Sequence, residues 1–101
     1  MAEKVSFNIE ENVKDEIKEP GKFVIILHND HYTTMDFVVT ILKEVFRKTP
    51  SEANKLMLDV HRNGCSRVAV YPYDIAATKV CQVENRSAQA GFPLKCTMEK
   101  E

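Results

Sequence analysis

The segment Asn29-Asp30-His31-Tyr32-Thr33-Thr34-Met35 gathers the side chains best suited to hold a charged ligand. Asn29 and Asp30 offer oxygen acceptors where the chain turns, a chemistry that fits a cation or an amine. The same pair can make an Asx-turn that merely caps the next helix. Thr33 or Thr34 can serve as that cap. The segment nearest in character is Met57 to His61. His61 follows Leu58 by three and Met57 by four, so on a helix it borders an apolar face. Its imidazole is either a satisfied boundary side chain or a neutral nitrogen that accepts a bond from a ligand amine. Met35, Val38, Met57 and Val60 recur at helical spacing and suit either a core or a pocket wall. Methionine fits varied apolar guests.

Other chemistries find weaker footing. His28-x-x-His31 and His61-x-x-x-Cys65 are conceivable zinc half-sites, but no CxxC accompanies them, so no metal or other cofactor is expected. No catalytic signature flanks Cys65, Cys81 or Cys96, and an odd count without paired spacing argues against a disulfide framework. Each of the three falls in an apolar context and is read as a buried structural thiol, with a reactive thiol as the alternative. No Gly-rich phosphate loop occurs.

The elements that must position these residues are legible in outline. Phe23-Val24-Ile25-Ile26-Leu27 is a short β-rich run and predicts a buried strand. From Thr34, Met35, Val38, Val39, Leu42 and Phe46 mark the apolar face of a helix that Thr49-Pro50 ends. Ser51 can cap a second helix with Ala53, Leu56, Met57 and Val60 inward, stopped by Asn63-Gly64. The short link between them favours an antiparallel helical hairpin. Val68 to Tyr71 reads as a second strand, and Pro72 as the first position of a third helix with Asp74 in its first turn. Ala76, Val80, Val83, Ser87 and Ala90 line its face and Gly91 stops it. Leu94, Cys96 and Met98 alternate with polar residues in a last strand. The order β-α-α-β-α-β predicts an α+β fold, a three-stranded antiparallel sheet packed on one face by three helices.

A chain of 101 residues supports one domain with a modest core. Residues 1–20 carry six acidic against three basic side chains and end at Pro20-Gly21, so they read as a flexible extension before a core domain of residues 21–101. That extension is either passive or a docking segment. A formal net charge of -1 gives no bulk attraction to nucleic acid. No apolar stretch approaches the roughly 20 residues needed to span a bilayer, and no apolar leader region opens the chain, which predicts a cytoplasmic protein.

In order and spacing, four pieces resemble the ClpS family of adaptors for the bacterial Clp protease. They are Val24 to Asp30, Tyr32 to Val38, Leu56 to His61 with Gly64, and Thr78-Lys79-Val80. Phe92 to Glu99 fits the family's ending, so the resemblance covers nearly all of the proposed fold. It implies a non-catalytic, monomeric adaptor that binds a free N-terminal Leu, Phe, Tyr or Trp. The substrate then passes to an AAA+ unfoldase, ClpA or a ClpC-like equivalent, with ClpP. Position by position, it implies that Asn29, Asp30 and His61 hold the α-amino group and Thr33 contacts the first peptide unit. Met35, Val38, Met57, Val60 and Leu94 would line or rim the side-chain pocket, with Met35 blocking β-branched guests. Asp74 and Lys79 match an unfoldase-docking face, and the N-terminal segment would be engaged during delivery. Two positions depart from the family's pattern. His31 stands where many members have a second Asp and removes a negative charge; Thr34 stands where many have Pro and offers a hydroxyl cap. Two rivals remain open: a non-delivering interaction module like the ribosomal stalk protein's C-terminal domain, and a small metal- or thiol-dependent enzyme.

Overall fold

The computed structural model describes residues 21–101; the acidic segment 1–20 lies outside the described residues. Strand β1 (Lys22–His28) is the centre of a three-stranded sheet, flanked by β2 (Cys65–Pro72) and β3 (Lys95–Lys100). Both pairings are antiparallel, with Ile25 opposite Ala69 on one side and Met98 on the other. Val24 to Leu27 are all buried, and Ile25 and Leu27 belong to the central core cluster. The register with β2 shifts between Ile25 and Ile26, which leaves Val68 as the extra residue of a bulge. Val68 and its neighbour Ala69 consequently both reach the core.

Helix α1 (Met35–Glu44) starts at Thr34, whose hydroxyl accepts from the Phe37 amide at 3.1 Å. It ends earlier than the sequence suggests: Val45 is the C-cap, and Arg47 takes a left-handed φ of 57° that breaks the helical path before Pro50. Phe46 stays buried beyond the last helical turn. The inner stripe is broader than expected, since Ile41 and Val45 are buried alongside Val38 and Leu42.

Helix α2 (Pro50–Asn63) corrects the expected cap. Thr49, not Ser51, occupies the N-cap, and it exchanges bonds with Glu52 in a full capping box. Pro50 follows as the first helical residue, where a missing amide proton costs nothing. Gly64 closes the helix at φ 87°. In α3 (Tyr73–Ala90), Pro72 is the residue before the helix and not its first member, and Ala90 is exposed instead of inward. Ala76, Val83 and Ser87 form the buried stripe.

The helices cover the sheet face that carries Ile25 and Leu27, completing the β-α-α-β-α-β layer arrangement. Only one of the three cysteines is buried. Cys96 lies in the core, whereas Cys65 opens the edge strand β2 and Cys81 faces solvent on α3. Burial pushes the Cys96 thiol up to about 12, with Glu84 adding to it, so this thiol is inert near neutrality.

Candidate functional site

The loop between β1 and α1 meets the end of α2 through one backbone bond. The Asn29 amide donates to the Gly64 carbonyl at 2.8 Å. His61 sits three residues before Gly64 on α2, so this bond brings the polar loop to the imidazole. Gly64 can offer that carbonyl because its left-handed turn redirects the chain at the helix end.

Asp30 organises the loop itself. Its Oδ1 accepts from the Tyr32 and Thr33 amides, and its Oδ2 from the Thr33 hydroxyl, each at 2.7 Å. Partial burial works to raise its pKa. The bonds from Thr33 and Tyr32, with a contribution from nearby His31, outweigh that and hold the carboxyl below its ordinary value. The group is therefore a fixed negative charge at neutral pH. Thr33 gives its proton to Asp30, so its oxygen faces any ligand as an acceptor. Thr34 is spent on the α1 cap.

Loop and helices enclose an open cavity of about 430 Å³. Asn29 to Thr34 form one wall, Met35 and Val38 of α1 a second, and Met57, Val60 and His61 of α2 the third. No hydrogen bond ties the Asn29 amide group or the His61 imidazole to another described residue, and both residues are exposed. Met35, at the first position of α1, is 44% exposed and stands at the mouth.

Eight expected residues thus converge on one cavity: Asn29, Asp30, Thr33, Met35, Val38, Met57, Val60 and His61. Leu94 does not line it. It is 5% exposed and packs within the central core. Asp74 and Lys79 lie elsewhere, on α3. Asp74 is exposed in the first turn. The Lys79 ammonium donates to the Val45 carbonyl at 2.7 Å and lies 5.8 Å from the centre of the Tyr71 ring. Tyr32, to which the sequence assigns no role, also lines the cavity and is 76% exposed; an aromatic within a polar run is its one sequence signal.

The conceivable zinc half-sites are not assembled. His28 turns to Thr97, its Nε2 lying 2.8 Å from the Thr97 hydroxyl, while His31 is in the cavity wall. Among the described residues, no group of three or more His, Cys, Asp or Glu side chains is placed to hold a metal ion. Nor is any helix among them long and apolar enough to cross a membrane.

A polar loop facing an apolar wall across an open cavity defines a recognition module. Comparison with known proteins narrows that class. The family model described as "ATP-dependent Clp protease adaptor protein ClpS" matches residues 18–97. The chain belongs to the ClpS family and is an adaptor of the Clp protease, not a catalytic enzyme. It is similar to the ATP-dependent Clp protease adapter protein ClpS of Acetivibrio thermocellus, 50% identical over 101 residues that span 100% of both chains. It is 51% identical to the same-named protein of Nitratidesulfovibrio vulgaris (strain Miyazaki F) over 88 residues, 87% of this chain and 88% of that one. Among solved structures it resembles Agrobacterium tumefaciens ClpS2 bound to L-phenylalaninamide. The TM-score is 0.79 at 38% identity, covering 82% of this chain and 100% of that one.

Proposed function

We propose that this adaptor binds substrates by a free, bulky apolar N-terminal residue (Leu, Phe, Tyr or Trp) and delivers them to an AAA+ unfoldase, ClpA or a ClpC-like equivalent, working with ClpP in the cytoplasm. The observation that carries the reading is the placement of Asn29, Asp30 and His61 beside Met35, Val38, Met57 and Val60 around one cavity. An N-terminal residue has these two parts: an ammonium with three donors, and a side chain on the same Cα, two bonds away. Asn29 and His61 supply acceptors that no other described residue occupies. Asp30 adds a negative field while its oxygens stay committed to the loop. The Thr33 oxygen accepts from the first peptide amide. L-phenylalaninamide, the ligand of the similar ClpS2 structure, is chemically a peptide's first residue in miniature, with a free amine and no carboxylate.

An apolar cavity alone discriminates weakly, by about 1–3 kcal/mol per methylene, so selection requires the polar clamp and the Met35 constriction together. Leu94 acts from behind, as core support for the apolar wall. Delivery would use the exposed Asp74 and the neighbourhood of Lys79 as a docking face, with residues 1–20 engaged by the unfoldase and residues 21–101 acting as a monomeric core domain.

The test is a fluorescence titration with short peptides that start with Phe or Leu, each in free and N-acetylated form. Acetylation removes the charge and leaves acceptors unpaired, at a cost on the order of 1–3 kcal/mol for each buried one. Free peptides should bind and acetylated ones should not; equal binding of the two forms refutes the amine clamp.

A further inference from the structure

Asp30 and His31 are adjacent in the cavity wall and face opposite tasks. The Asp30 carboxylate accepts three bonds at 2.7 Å from within its own loop and is turned inward. His31 is exposed and lines the same cavity. The titratable side chains of that wall are Asp30, His31 and Tyr32 from the loop and His61 from α2, while α1 lends only Met35 and Val38. The outward-facing ionisable groups are thus two imidazoles and a phenol, and the one carboxylate is committed.

The path of a bound chain follows from the proposed function, on which this step rests. With the amine at Asn29 and His61 and the first peptide unit at Thr33, the second side chain emerges over the loop. Besides Asn29, the exposed residues of that loop are His31, Tyr32 and Thr34, and the Thr34 hydroxyl is spent on the α1 cap. We infer that His31 reads the second residue of the substrate, favouring a carboxylate there and disfavouring an ammonium as the imidazole becomes protonated. Imidazoles change charge between about pH 5 and pH 8, so the preference is set by pH. Both partners are exposed to solvent and Asp30 offsets part of the His31 charge, so the effect has the scale of a surface ion pair. That is a change in relative affinity of roughly twofold to fivefold.

His61 lines the same cavity and, in the proposed pose, faces the amine, which every ligand shares. Whatever acts on the amine alone weakens all peptides alike and cancels in a ratio of affinities, and His31→Asn, which keeps His61, measures any part that does not cancel. The experiment therefore compares Phe-Glu and Phe-Lys peptides of otherwise identical sequence, at about pH 8 and about pH 6. It uses the full chain, His31→Asn and His31→Asp. For the unsubstituted protein, the Kd ratio of Phe-Lys to Phe-Glu should rise roughly twofold to fivefold on acidification. It should stay flat in His31→Asn, and His31→Asp should prefer Phe-Lys at both pH values. A ratio that does not change with pH in the unsubstituted protein, or that changes equally in His31→Asn, overturns the inference while leaving amine recognition intact. Failure of both free peptides to bind at either pH overturns amine recognition itself, and this inference with it.

Discussion

The Asn29 amide donates to the Gly64 carbonyl at 2.8 Å, and this bond joins the two halves of the candidate site. It fixes the polar loop against the end of α2 without using a side chain of either residue. Asn29 keeps its amide group free for a ligand, and Gly64 provides the turn that presents the carbonyl.

Gly64→Ala tests that joint. The residue sits at φ 87°, and a Cβ added there would meet nothing within 4 Å, so the cost is conformational and not steric. Placing an L side chain in the left-handed region costs roughly 1–2 kcal/mol. Urea denaturation should show a stability loss of that size with the m-value unchanged. Peptide affinity should also fall under conditions where the domain remains folded, because the Asn29 anchor shifts. Full affinity with reduced stability would show that the bond stabilises the fold without setting the site.

Asp30 makes the loop sensitive to acid in a defined window. Its folded pKa lies below the ordinary value. A depressed carboxyl contributes stability that is present above its unfolded pKa of about 3.9 and is lost as pH falls through the lower, folded value. Peptide affinity should therefore show no Asp30 titration between about pH 5 and pH 8, and the loop should loosen only below about pH 4. The amide resonances of Tyr32 and Thr33, whose protons go to this carboxylate, should report the transition together. In Asp30→Asn the same resonances should lose their low-pH transition. A transition near neutrality in those two amides would mean that another group controls the loop.

Met35 stands at the mouth on the first position of α1, 44% exposed, with its neighbours Val38 and Met57 deeper in the same cavity. Shortening it widens the entrance without opening the core. Met35→Ala should leave thermal stability nearly unchanged, because exposed truncations rarely move it by more than about 0.5 kcal/mol. It should raise the affinity of Ile- and Val-starting peptides relative to Phe by roughly tenfold, about 1.4 kcal/mol. Unchanged selectivity in a competition titration would show that the constriction lies elsewhere.

The parts of the site that were legible in sequence are those in which side-chain type and helical spacing coincide. Met57, Val60 and His61 share one side of α2, and Met35 and Val38 one side of α1, so two walls of the cavity could be drawn from periodicity. The loop acceptors were legible as types, but not their division of labour. Nothing in the order Asn-Asp states that Asp30 closes on Thr33 while Asn29 stays open. The Asn29–Gly64 bond is a backbone contact between distant segments and leaves no residue signature. Thr49 as cap is legible in the Thr49-x-x-Glu52 capping-box spacing, but Pro50 is an ambiguous signal, since proline both ends one helix and suits the first position of the next. Cys65 and Cys81 looked buried from their apolar neighbours. Burial follows the face instead, and Cys81 falls off the stripe defined by Ala76, Val83 and Ser87.

Lys79 joins α3 to the end of α1. Its ammonium donates to the Val45 carbonyl at 2.7 Å, at the C-cap of α1, where a helix presents carbonyls that lack partners. A cation there also meets the negative end of the helix dipole. Lys79 therefore ties α3 to the helix that carries Met35 and Val38, whatever it does for a partner. A hydrogen bond from a charged donor contributes about 1.5–3 kcal/mol, reduced here by partial exposure. Lys79→Ala should lower the unfolding midpoint measurably and weaken delivery to the unfoldase together. Asp74 is exposed, and its backbone carbonyl accepts from the Thr78 hydroxyl at 3.0 Å. Asp74→Ala should thus leave the midpoint and peptide affinity unchanged while reducing degradation of a Phe-starting substrate in a reconstituted Clp assay. If Lys79→Ala retains full stability, the tie to Val45 is dispensable and Lys79 is free for docking. If Asp74→Ala degrades that substrate at the full rate, the start of α3 is not part of the docking face.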